Sequence, residues 1–503
     1  MNFHTFIFSK TRAYFNAINK SKCLFSGIII ALFLLNITAC TDELFTTDPE
    51  KKLSFSTDTL TFDTIFTSFG STTEKFLIYN TNNRALRINR IGLAKGASSK
   101  FRLNVDGTVS STNIFTDIEI GARDSMYVFV ETTINTSDDN NPVLIEDSVV
   151  FEFNGNKQQV LLEAFGQNMY LLKNELIEND IQFKNDKPYL IYGDLVVDTA
   201  KTLTLPAGCK LYFHNNSNLI VYGNLRTEGT YNQPVELRGD RLDKVKFLDP
   251  VPYNYVAGQW GGVYLLSTNG VHSLKNTNIT SAYVGLYSPN SDRDNLPEIT
   301  VENCRIHNFV YYGIVAQNTN LTVKNSEISN TGSYTVFLSG GKHIFEQSTI
   351  ANHYANNDFE PSSRDKYPAV MIMGLQRTAP MQTEFTNCIV SGTIDNEFAI
   401  ASRFLKDYKG TFANSYIKRK LKYEQSQFQN ISWYQFGDTI FKHSRFDYEK
   451  KKYFDFTPDS VSPARNIGDS FVASKYPLDL NGRNRFVDGQ PDAGCYEWRP
   501  YNQ

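Results

Sequence analysis

The feature that most constrains the fold is a six-residue unit that occurs six times between residues 274 and 417. Each copy reads apolar, usually polar, Asn (once Gln), small, any residue, aliphatic. A period near 22 residues with short apolar strands predicts a solenoid, because one turn of chain cannot bury its apolar face without neighbouring turns. Successive copies start 27, 22, 22, 40 and 27 residues apart, at Leu274, Val301, Val323, Phe345, Phe385 and Phe412.

The register of this repeat predicts where each position points. Coils stacked about 4.8 Å apart form parallel sheets whose inward residues make ladders. We expect the small fourth position to point inward, and the Asn at the third position to lie at a turn where its amide bonds to neighbouring coils. The fourth position holds Thr277, Cys304, Ser326, Ser348, Cys388 and Ser415. A second row of Asn, five residues after the first, consists of Asn308, Asn330 and Asn352.

Four cysteines follow Cys40, and an even number in an oxidising compartment allows disulfides. Cys304 and Cys388 occupy equivalent positions three coils apart, which at the strand spacing is roughly 14 Å. A disulfide requires Cα atoms within about 7 Å of each other, so these two are predicted to be unpaired packing residues. The pattern leaves the pairing of Cys209 and Cys495 open.

The chain before the repeats predicts a different all-β domain. Residues 53–168 contain short apolar strands, such as Met126–Val130 and Val149–Phe153, separated by turn residues at near-regular spacing. This pattern is typical of an immunoglobulin-like (Ig-like) β-sandwich. The remaining predicted segments are a tether, a linker or N-cap, the solenoid, and its last coils with a C-terminal cap. They cover residues 40–52, 169–189, 190–420 and 421–503, respectively.

Residues 1–39 have the pattern of a secretory signal. Four basic residues and no acid precede Cys40, and the apolar run Leu24–Ala39 leads directly to it. A basic segment, an apolar segment and small residues at the cut site define such a signal. The run is shorter than the roughly 20 apolar residues that span a bilayer. Cleavage removes the four basic residues and changes the net charge from −3 to −7, which does not favour a nucleic-acid partner.

The Ile-Thr-Ala-Cys ending of this signal resembles the lipobox of bacterial lipoproteins. The resemblance implies that Cys40 receives a diacylglyceryl group and becomes the new N-terminus, so that a lipid anchors the protein to a membrane. Asp42 and Glu43 resemble the surface-export signal of some Gram-negative lipoproteins. We therefore expect a monomeric outer-membrane lipoprotein that faces the periplasm or the cell surface. The alternative is an ordinary or uncleaved signal with a chance Cys.

Residues 190–420 resemble right-handed parallel β-helix proteins of the pectate-lyase-like superfamily. Enzymes of this superfamily often cleave acidic polysaccharides, either with carboxylate-bound Ca²⁺ beside an Arg or Lys base, or with clustered Asp residues and a Gly-His-Gly sequence. The coils contain neither a Gly-His-Gly nor adjacent Asp residues, and the fold by itself says little about activity. The resemblance is carried by Leu203–Leu225, Gly258–Val263, Ser462–Ala464, Asp479–Arg483 and Asp492–Glu497.

Two charged insertions within the repeats are candidate sites for catalysis or for Ca²⁺. One carries Asp292 and Asp294, and the other carries Asp358, Glu360 and Arg364. The four acids are potential ligands, since Ca²⁺ takes about six to eight oxygens, and Arg364 is a potential partner for a uronate carboxylate. The alternative is that both insertions are solvated loops.

Aromatic residues near the predicted coil edges are candidates for ligand binding. Trp260, Tyr311 and Tyr312 are placed to stack against sugar rings, and core filling is the alternative. Because no catalytic set is recognisable, we expect a cell-envelope lipoprotein that displays its β-helix and binds glycan or another surface partner. The other hypotheses are a polysaccharide lyase or glycoside hydrolase acting on acidic polysaccharide, and a purely structural or adhesin role.

Overall fold

The chain folds into two compact units. The first comprises the described parts of residues 1–61, 70–133 and 145–163, and the second the described parts of 62–69, 134–144 and 164–503. No helix in the described residues is long and apolar enough to cross a membrane. The computed structural model describes residues 45–67, 70–71, 73–135, 140–245, 251–354, 366–375, 378–401, 408–423, 426–445 and 454–500. The signal segment and Cys40 lie outside the described residues.

The N-terminal region contains two antiparallel sheets. Its strands are β1 (Ser54–Phe55), β2 (Thr59–Phe66), β3 (Glu74–Tyr79), β4 (Leu86–Leu93), β5 (Phe101–Val105), β6 (Thr108–Val109), β7 (Ile114–Ile120), β8 (Ser125–Thr132), β9 (Val143–Phe153) and β10 (Asn156–Gln167). The sheet orders are β1-β3-β8-β5-β6 and β2-β10-β9-β4-β7. Residues of β8 alternate between buried and exposed, as expected when one face of a sheet covers a core. Phe55 and Phe76 of one sheet pack against Phe151 of the other, with ring centroids 5.0 and 6.2 Å apart.

The second unit is built mainly from short strands on successive coils. The first of them are β11 (Tyr170–Ile177), β12 (Ile181–Gln182), β13 (Tyr189–Val197), β14 (Thr202–Pro206), β15 (Lys210–Phe213), β16 (Asn218–Val221), β17 (Asn224–Glu228), β18 (Val235–Gly239), β19 (Lys244–Val245), β20 (Val251–Pro252), β21 (Trp260–Leu265), β22 (Val271–Lys275), β23 (Thr277–Thr280) and β24 (Ala282–Pro289). The next are β25 (Glu298–Glu302), β26 (Arg305–Phe309), β27 (Tyr312–Gln317), β28 (Asn320–Lys324), β29 (Glu327–Thr331), β30 (Val336–Ser339), β31 (Gly341–Glu346), β32 (Thr349–Asn352), β33 (Val370–Met373), β34 (Met381–Thr386), β35 (Ile389–Gly392), β36 (Phe398–Ala401), β37 (Lys409–Ile417), β38 (Phe428–Trp433), β39 (Phe441–His443) and β40 (Asp455–Pro458). Short 3-10 turns occupy Gly96–Ser98 and Tyr253–Tyr255, and one α-helix, α1, spans Ser470–Ser474.

Each solenoid strand pairs in parallel with the strands one coil before and one coil after it. We call β22-β25-β28-β31-β34-β37 the first row, β23-β26-β29-β32-β35 the second row and β24-β27-β30-β33-β36 the third row. They belong to a parallel arrangement of 26 strands from β11 to β38. One apolar cluster fills the interior of the coils from Ile177 to Ile417. The predicted all-β fold, with antiparallel sheets followed by a parallel β-helix, is confirmed.

The repeat positions lie where the register predicts. The small residues at the fourth position are 0–1% exposed. The third-position residues have φ between 44° and 55°, a left-handed conformation that Asn adopts more readily than most residues. Their amides form a ladder, in which Asn325 Nδ2 donates to Asn303 Oδ1 and Asn387 Nδ2 donates to Gln347 Oε1, both at 2.8 Å. A left-handed residue, Asn in all coils but the one with Gln347, thus turns each coil from the first row into the second.

Parallel pairing begins within the segment predicted to be a linker or N-cap. β11 lies in residues 169–189 and pairs in parallel with β13, with Tyr170 opposite Tyr189. This segment therefore already forms a coil of the solenoid in the described residues.

The described cysteines are all free and buried. The prediction that Cys304 and Cys388 are unpaired packing residues is confirmed. Cys209 and Cys495, whose pairing the sequence left open, are also free and 0% exposed.

Residues 454–500 lie along the outer face of the second row. Asp469 caps the N-terminus of α1 by accepting from Val472 N. Cys495 N donates to Thr349 Oγ1 at 3.0 Å, and the segment shares an apolar cluster with Ile389 and Tyr416. The segment predicted to be a C-terminal cap thus covers the flank of these coils.

A buried pair of hydrogen-bonded side chains, Arg485 and Glu497, holds this segment in shape. Arg485 Nη1 donates to Glu497 Oε1 at 2.5 Å, and the two side chains are 0% and 4% exposed. Arg485 Nη2 also donates to Asn325 Oδ1 and to Cys495 O. One guanidinium thereby connects the Asn ladder of the coils to the C-terminal segment.

Candidate functional site

Five tyrosines form a continuous row of rings along the third row of strands, which we call the tyrosine strip. They are Tyr283, Tyr311, Tyr312, Tyr334 and Tyr367. The ring centroids of successive members lie 6.0, 6.3, 6.3 and 5.1 Å apart. Tyr311 is 50% exposed, and Tyr283 and Tyr367 are each 37% exposed. The strip therefore presents an extended aromatic surface to solvent.

The coil register places these tyrosines side by side. Tyr283 lies at the start of β24, Tyr312 starts β27, and Tyr334 and Tyr367 precede β30 and β33. Tyr311 N donates to Tyr283 O at 2.9 Å, which fixes the two turns to each other. Tyr283 and Tyr311 share one register position, and Tyr312 and Tyr334 share the next. Since coils repeat about every 4.8 Å, aromatic side chains at one such position lie within contact distance.

The hydroxyl group of Tyr334 remains protonated. Burial raises the pKa of Tyr334, and the neighbouring Tyr367 and Tyr312 raise it further. Its phenol group can therefore donate as well as accept hydrogen bonds while its ring offers an apolar face.

Of the aromatic residues predicted from the sequence, Tyr311 and Tyr312 belong to the tyrosine strip, but Trp260 does not. Trp260 is 0% exposed, and its ring stacks on Phe213 with centroids 4.2 Å apart. Its Nε1 donates to Thr280 O at 2.8 Å. The core-filling alternative therefore describes Trp260, because a ligand in solvent does not reach it.

A concave site of about 220 Å³, which we call the side pocket, lies on the outer face of the second row. Arg305 and His307 of β26 and Glu327 of β29 line one part of it, and Asp455 and Tyr496 of the C-terminal segment line another. Alternate residues of a strand point to opposite faces. The aliphatic residues of β26 and β29 fill the solenoid, and the residues between them consequently project into this site.

Glu327 is held by two hydroxyl groups. Tyr496 Oη donates to Glu327 Oε2 at 2.5 Å, and Ser329 Oγ donates to Oε1 at 2.5 Å. Burial raises the pKa of Tyr496 well above its ordinary value, and the adjacent Glu327 raises it further. Tyr496 is therefore a permanent donor that fixes the orientation of the carboxylate.

Arg305 is bound by the C-terminal segment. Its Nη2 donates to Leu480 O at 2.7 Å and to Asn481 Oδ1 at 3.1 Å, and its Nε donates to Tyr496 Oη at 3.3 Å. Burial alone would lower the pKa of Arg305, but Tyr496 and Glu327 raise it overall. The guanidinium thus stays charged while its donors are directed at protein acceptors.

The residues that end β26 supply a neutral imidazole and a buried acceptor. Burial lowers the pKa of His307, Glu327 and Asn308 act in the opposite direction, and Arg305 lowers it further. Asn308 is 1% exposed, and its Nδ2 donates to Asn254 O at 3.2 Å. Its Oδ1 has no partner of full hydrogen-bond geometry among the described residues, although the Asn308 side chain lies close enough to the His307 imidazole for a hydrogen bond to raise the pKa of that imidazole.

The charged insertion at residues 291–295 forms a turn that uses its own carboxylate. Asp292 Oδ1 accepts from the backbone N of Asp294 and of Asn295, and Oδ2 accepts from Asn295 Nδ2. The Asn295 side chain, followed by those two backbone groups, lowers the pKa of Asp292. The side chain of Asp294 is 85% exposed and lies 3.9 Å from Arg293. Asp292 is thus engaged in holding its loop.

The other insertion lies beyond what the structure describes. Asp358, Glu360 and Arg364 fall within residues 355–365, outside the described residues, so their role as Ca²⁺ ligands or as a uronate partner stays a prediction. Among the described residues there is no group of three or more His, Cys, Asp or Glu side chains that could hold a metal ion.

The sequence pattern does not single out Arg305 or Glu327, because both occupy the fifth position of the repeat unit, where the consensus allows any residue. In later coils the same position holds Ile389 and Tyr416, which are buried by the C-terminal segment. The fifth position changes from charged residues in early coils to apolar residues in later coils. This change indicates that another segment covers the outer face of the second row in the later coils and leaves it open in the earlier ones.

Comparisons with known proteins support the fold of the second unit. Residues 251–403 match the family model described as "Right handed beta helix region". The matched residues include every member of the tyrosine strip, together with Arg305, His307 and Glu327 of the side pocket. The match agrees with the parallel arrangement of strands in that unit. No curated protein matches the chain.

Among solved structures, similarities cover about a quarter of the chain. One is the ASH / PapD-like domain of human CEP192 (PapD-like domain 7), with 13% identity, 26% of this chain and 94% of that chain covered, and a TM-score of 0.16. Another is a family 123 glycoside hydrolase from Clostridium perfringens, with 7% identity, 24% and 30% covered, and a TM-score of 0.18. A third is the Vibrio cholerae VesB protease, with 11% identity, 24% and 33% covered, and a TM-score of 0.17. The chain spans about a third of the last two proteins, and these likenesses carry no statement about its function.

Proposed function

We propose that this protein is an outer-membrane lipoprotein that binds a glycan along its β-helix without cleaving it. A lipid on Cys40 anchors the chain, and the solenoid supplies the binding surface. The single observation that carries the binding function is the tyrosine strip.

The chemistry of the strip suits carbohydrate. A sugar ring presents patches of C–H groups as well as hydroxyl groups, and tyrosine offers an apolar ring face with a polar tip. Tyrosine also loses little conformational entropy on binding, because it has only two side-chain torsions. A contiguous aromatic surface exposed to solvent usually marks a site of interaction. The parallel coils hold the five rings in fixed positions, which lowers the entropic cost of binding an extended chain.

Two acids of the solenoid, Asp292 and Glu327, are held by hydrogen bonds within the protein, which supports binding rather than cleavage. The Asp292 carboxylate accepts three hydrogen bonds from its own loop. Both oxygens of Glu327 accept from protein hydroxyl groups. A general acid or base must reach the bond that it acts on, and these carboxylates are instead committed to structure.

The binding function is tested with the full-length chain in detergent on a panel of neutral, amine-bearing and uronate oligosaccharides. We expect Tyr311→Ala and Tyr334→Ala each to weaken binding about tenfold, since each ring contributes roughly 1–1.5 kcal/mol of stacking and area burial. Tyr222→Ala is the matched control, because Tyr222 is 45% exposed and lies on an earlier coil. Equal affinity of the three variants and the wild type would contradict the proposal.

The same panel separates binding from catalysis. Unsaturated products absorb in the ultraviolet, and hydrolysis creates new reducing ends, so both are measured after incubation with Ca²⁺. We expect neither signal. Turnover of a uronate polymer that is lost in Asp292→Ala would instead support the lyase hypothesis.

The anchor is tested by fractionating cells that express the full chain. We expect the wild type in the outer-membrane fraction and Cys40→Ser outside it, because the substitution removes the acceptor thiol. Cys23→Ser, at the other cysteine of the signal segment, is the control and should leave the location unchanged. Retention of Cys40→Ser in the outer membrane would refute lipid anchoring at this residue.

A further inference from the structure

We infer that the side pocket holds one sugar ring of the bound glycan, and that this ring carries hydrogen-bond donors and no acid group. The sugar that fits best bears a protonated amine. The inference rests on the proposed function, because it specifies which glycan the tyrosine strip receives.

The side pocket and the tyrosine strip share one turn of chain. His307 and Asn308 lie near the end of β26 on the pocket side, and Tyr311 of the strip follows three residues later. Tyr255 also lines the pocket, and its ring centroid lies 6.2 Å from that of His307. A glycan stacked on Tyr311 therefore has a polar recess one turn of chain away.

Two acceptors of this recess can receive further donors. Asn308 Oδ1 is buried and has no partner of full hydrogen-bond geometry among the described residues, and a buried acceptor without a donor costs free energy until a ligand or water supplies one. Asp455 Oδ1 accepts from Thr457 N at 3.0 Å, and its Oδ2 accepts no hydrogen bond within the described part of the chain. A ligand that brings donors satisfies both atoms.

The charges of the pocket exclude an acidic sugar. Arg305 is positive, Glu327 and Asp455 are negative and His307 is neutral, so the formal charge is −1. The Arg305 donors point at Leu480 O, Asn481 Oδ1 and Tyr496 Oη. A uronate carboxylate would consequently meet two acids without a free cation, whereas an ammonium group would meet two acids and Asn308 Oδ1.

The size of the pocket limits it to one ring. Its volume is about 220 Å³, below the roughly 300–1,000 Å³ of sites that enclose drug-sized ligands. One sugar residue therefore enters the pocket, while the rest of the chain stays on the tyrosine strip.

Three tetrasaccharides of one linkage test the inference by titration calorimetry on the full-length chain in detergent. They are cellotetraose, β-1,4-tetraglucosamine, in which an amine replaces the C2 hydroxyl of each ring, and β-1,4-tetraglucuronate, in which a carboxylate replaces the C6 hydroxymethyl. We expect tetraglucosamine to bind about tenfold tighter than cellotetraose, because hydrogen bonds to charged groups are stronger than neutral ones. Tetraglucuronate is expected to bind weakest.

Variants separate the pocket from the strip. Asp455→Asn, which keeps the shape of the side chain, should remove most of the preference for the amine, and Asn308→Gly, which tolerates the φ of 65° at this position, should reduce it. Asp294→Asn removes an exposed acid elsewhere and should leave the preference intact. Tyr334→Ala should weaken all three ligands alike.

The outcomes distinguish the inference from the proposed function. Equal binding of the three tetrasaccharides, tightest binding of tetraglucuronate, or an unchanged ranking in Asp455→Asn would overturn the assignment of the pocket while glycan binding stands. Absence of binding to these ligands, with binding of others in the panel, would also overturn it. Absence of binding to the whole panel would overturn the proposed function itself.

Discussion

Replacement of Trp260 separates a core role from a ligand role. The Phe variant keeps a ring over Phe213 but loses the Nε1 donor to Thr280 O. Because Ser281 Oγ also donates to Thr280 O at 2.7 Å, that carbonyl keeps a partner, and the lost bond costs only about 1 kcal/mol. The smaller ring adds about 1–2 kcal/mol for lost contacts. We therefore expect Trp260→Phe to lower the free energy of unfolding by about 2–3 kcal/mol.

The Ala variant extends the same reasoning. Removal of a large buried aromatic side chain leaves a cavity in the coil interior and costs about 3–5 kcal/mol. Both variants are measured by equilibrium urea unfolding, followed by far-ultraviolet circular dichroism. Glycan affinity of the folded Phe variant should equal that of the wild type, since Trp260 is 0% exposed.

Two results would refute this reasoning. One is a Trp260→Phe protein with unchanged unfolding, which would mean that the indole does not fill the core. The other is a fully stable Phe variant whose glycan affinity falls as far as that of Tyr311→Ala, which would return Trp260 to the binding surface.

Three further predictions concern thiols, acid–base behaviour and coil spacing. Burial raises the pKa of the Cys209, Cys304 and Cys388 thiols to about 12. A maleimide should therefore label these three residues only after urea unfolds the coils, and labelling of any of them in the native protein would contradict the fold. Burial raises the pKa of Glu497 to about 8, and Arg485 lowers it only in part. A group whose pKa is raised on folding contributes its full stabilisation below its pKa in the unfolded chain, about 4.3 for Glu, and this stabilisation is lost as pH rises through 8. We therefore expect a lower free energy of unfolding in urea at pH 9 than at pH 6, and a smaller difference in Glu497→Gln. The same difference in both proteins would exclude Glu497 as the cause. A Cβ at Gly223 would lie 2.1 Å from Lys201 O, so Gly223→Ala should lower the urea midpoint strongly. Gly70→Ala, whose Cβ meets nothing within 4 Å, should not lower it. Equal midpoints of the two variants would contradict the close spacing of the coils at Gly223.

The solenoid was predictable because its constraints are local and repeated. An Asn at the third position of each unit must provide a left-handed turn, and Asn303 and Asn325 do so with φ of 55° and 44°. A small residue must follow, and Cys304 is 0% exposed. Repetition fixes the register of each coil on the next, which also excluded the Cys304–Cys388 disulfide.

The side pocket was not predictable, because its parts are distant in sequence. Tyr496 and Glu327 are 169 residues apart, and the segment that carries Tyr496 has little regular structure. No periodic pattern gives the register of such a segment on the coils. The buried contact of Arg485 with Glu497 lies in the same segment and was not predictable for the same reason.

Of the aromatic candidates, two lie on the surface and one is buried, and the sequence could not separate them for a similar reason. Tyr311 and Tyr312 lie at a turn between two rows, where side chains reach solvent. Trp260 begins a strand, and the face on which it lies depends on the irregular chain before it, including the 3-10 turn at Tyr253–Tyr255. The period of the repeats does not extend to that part of the chain, so inward and outward positions could not be distinguished there.

The most direct test of the central claim is a crystal structure of the protein with the tightest-binding tetrasaccharide. The sugar rings should lie over Tyr311, Tyr312 and Tyr334, with one ring in the side pocket and its donor within hydrogen-bonding distance of Asn308 Oδ1. A glycan bound on another surface, with the tyrosine strip uncovered, would contradict the claim.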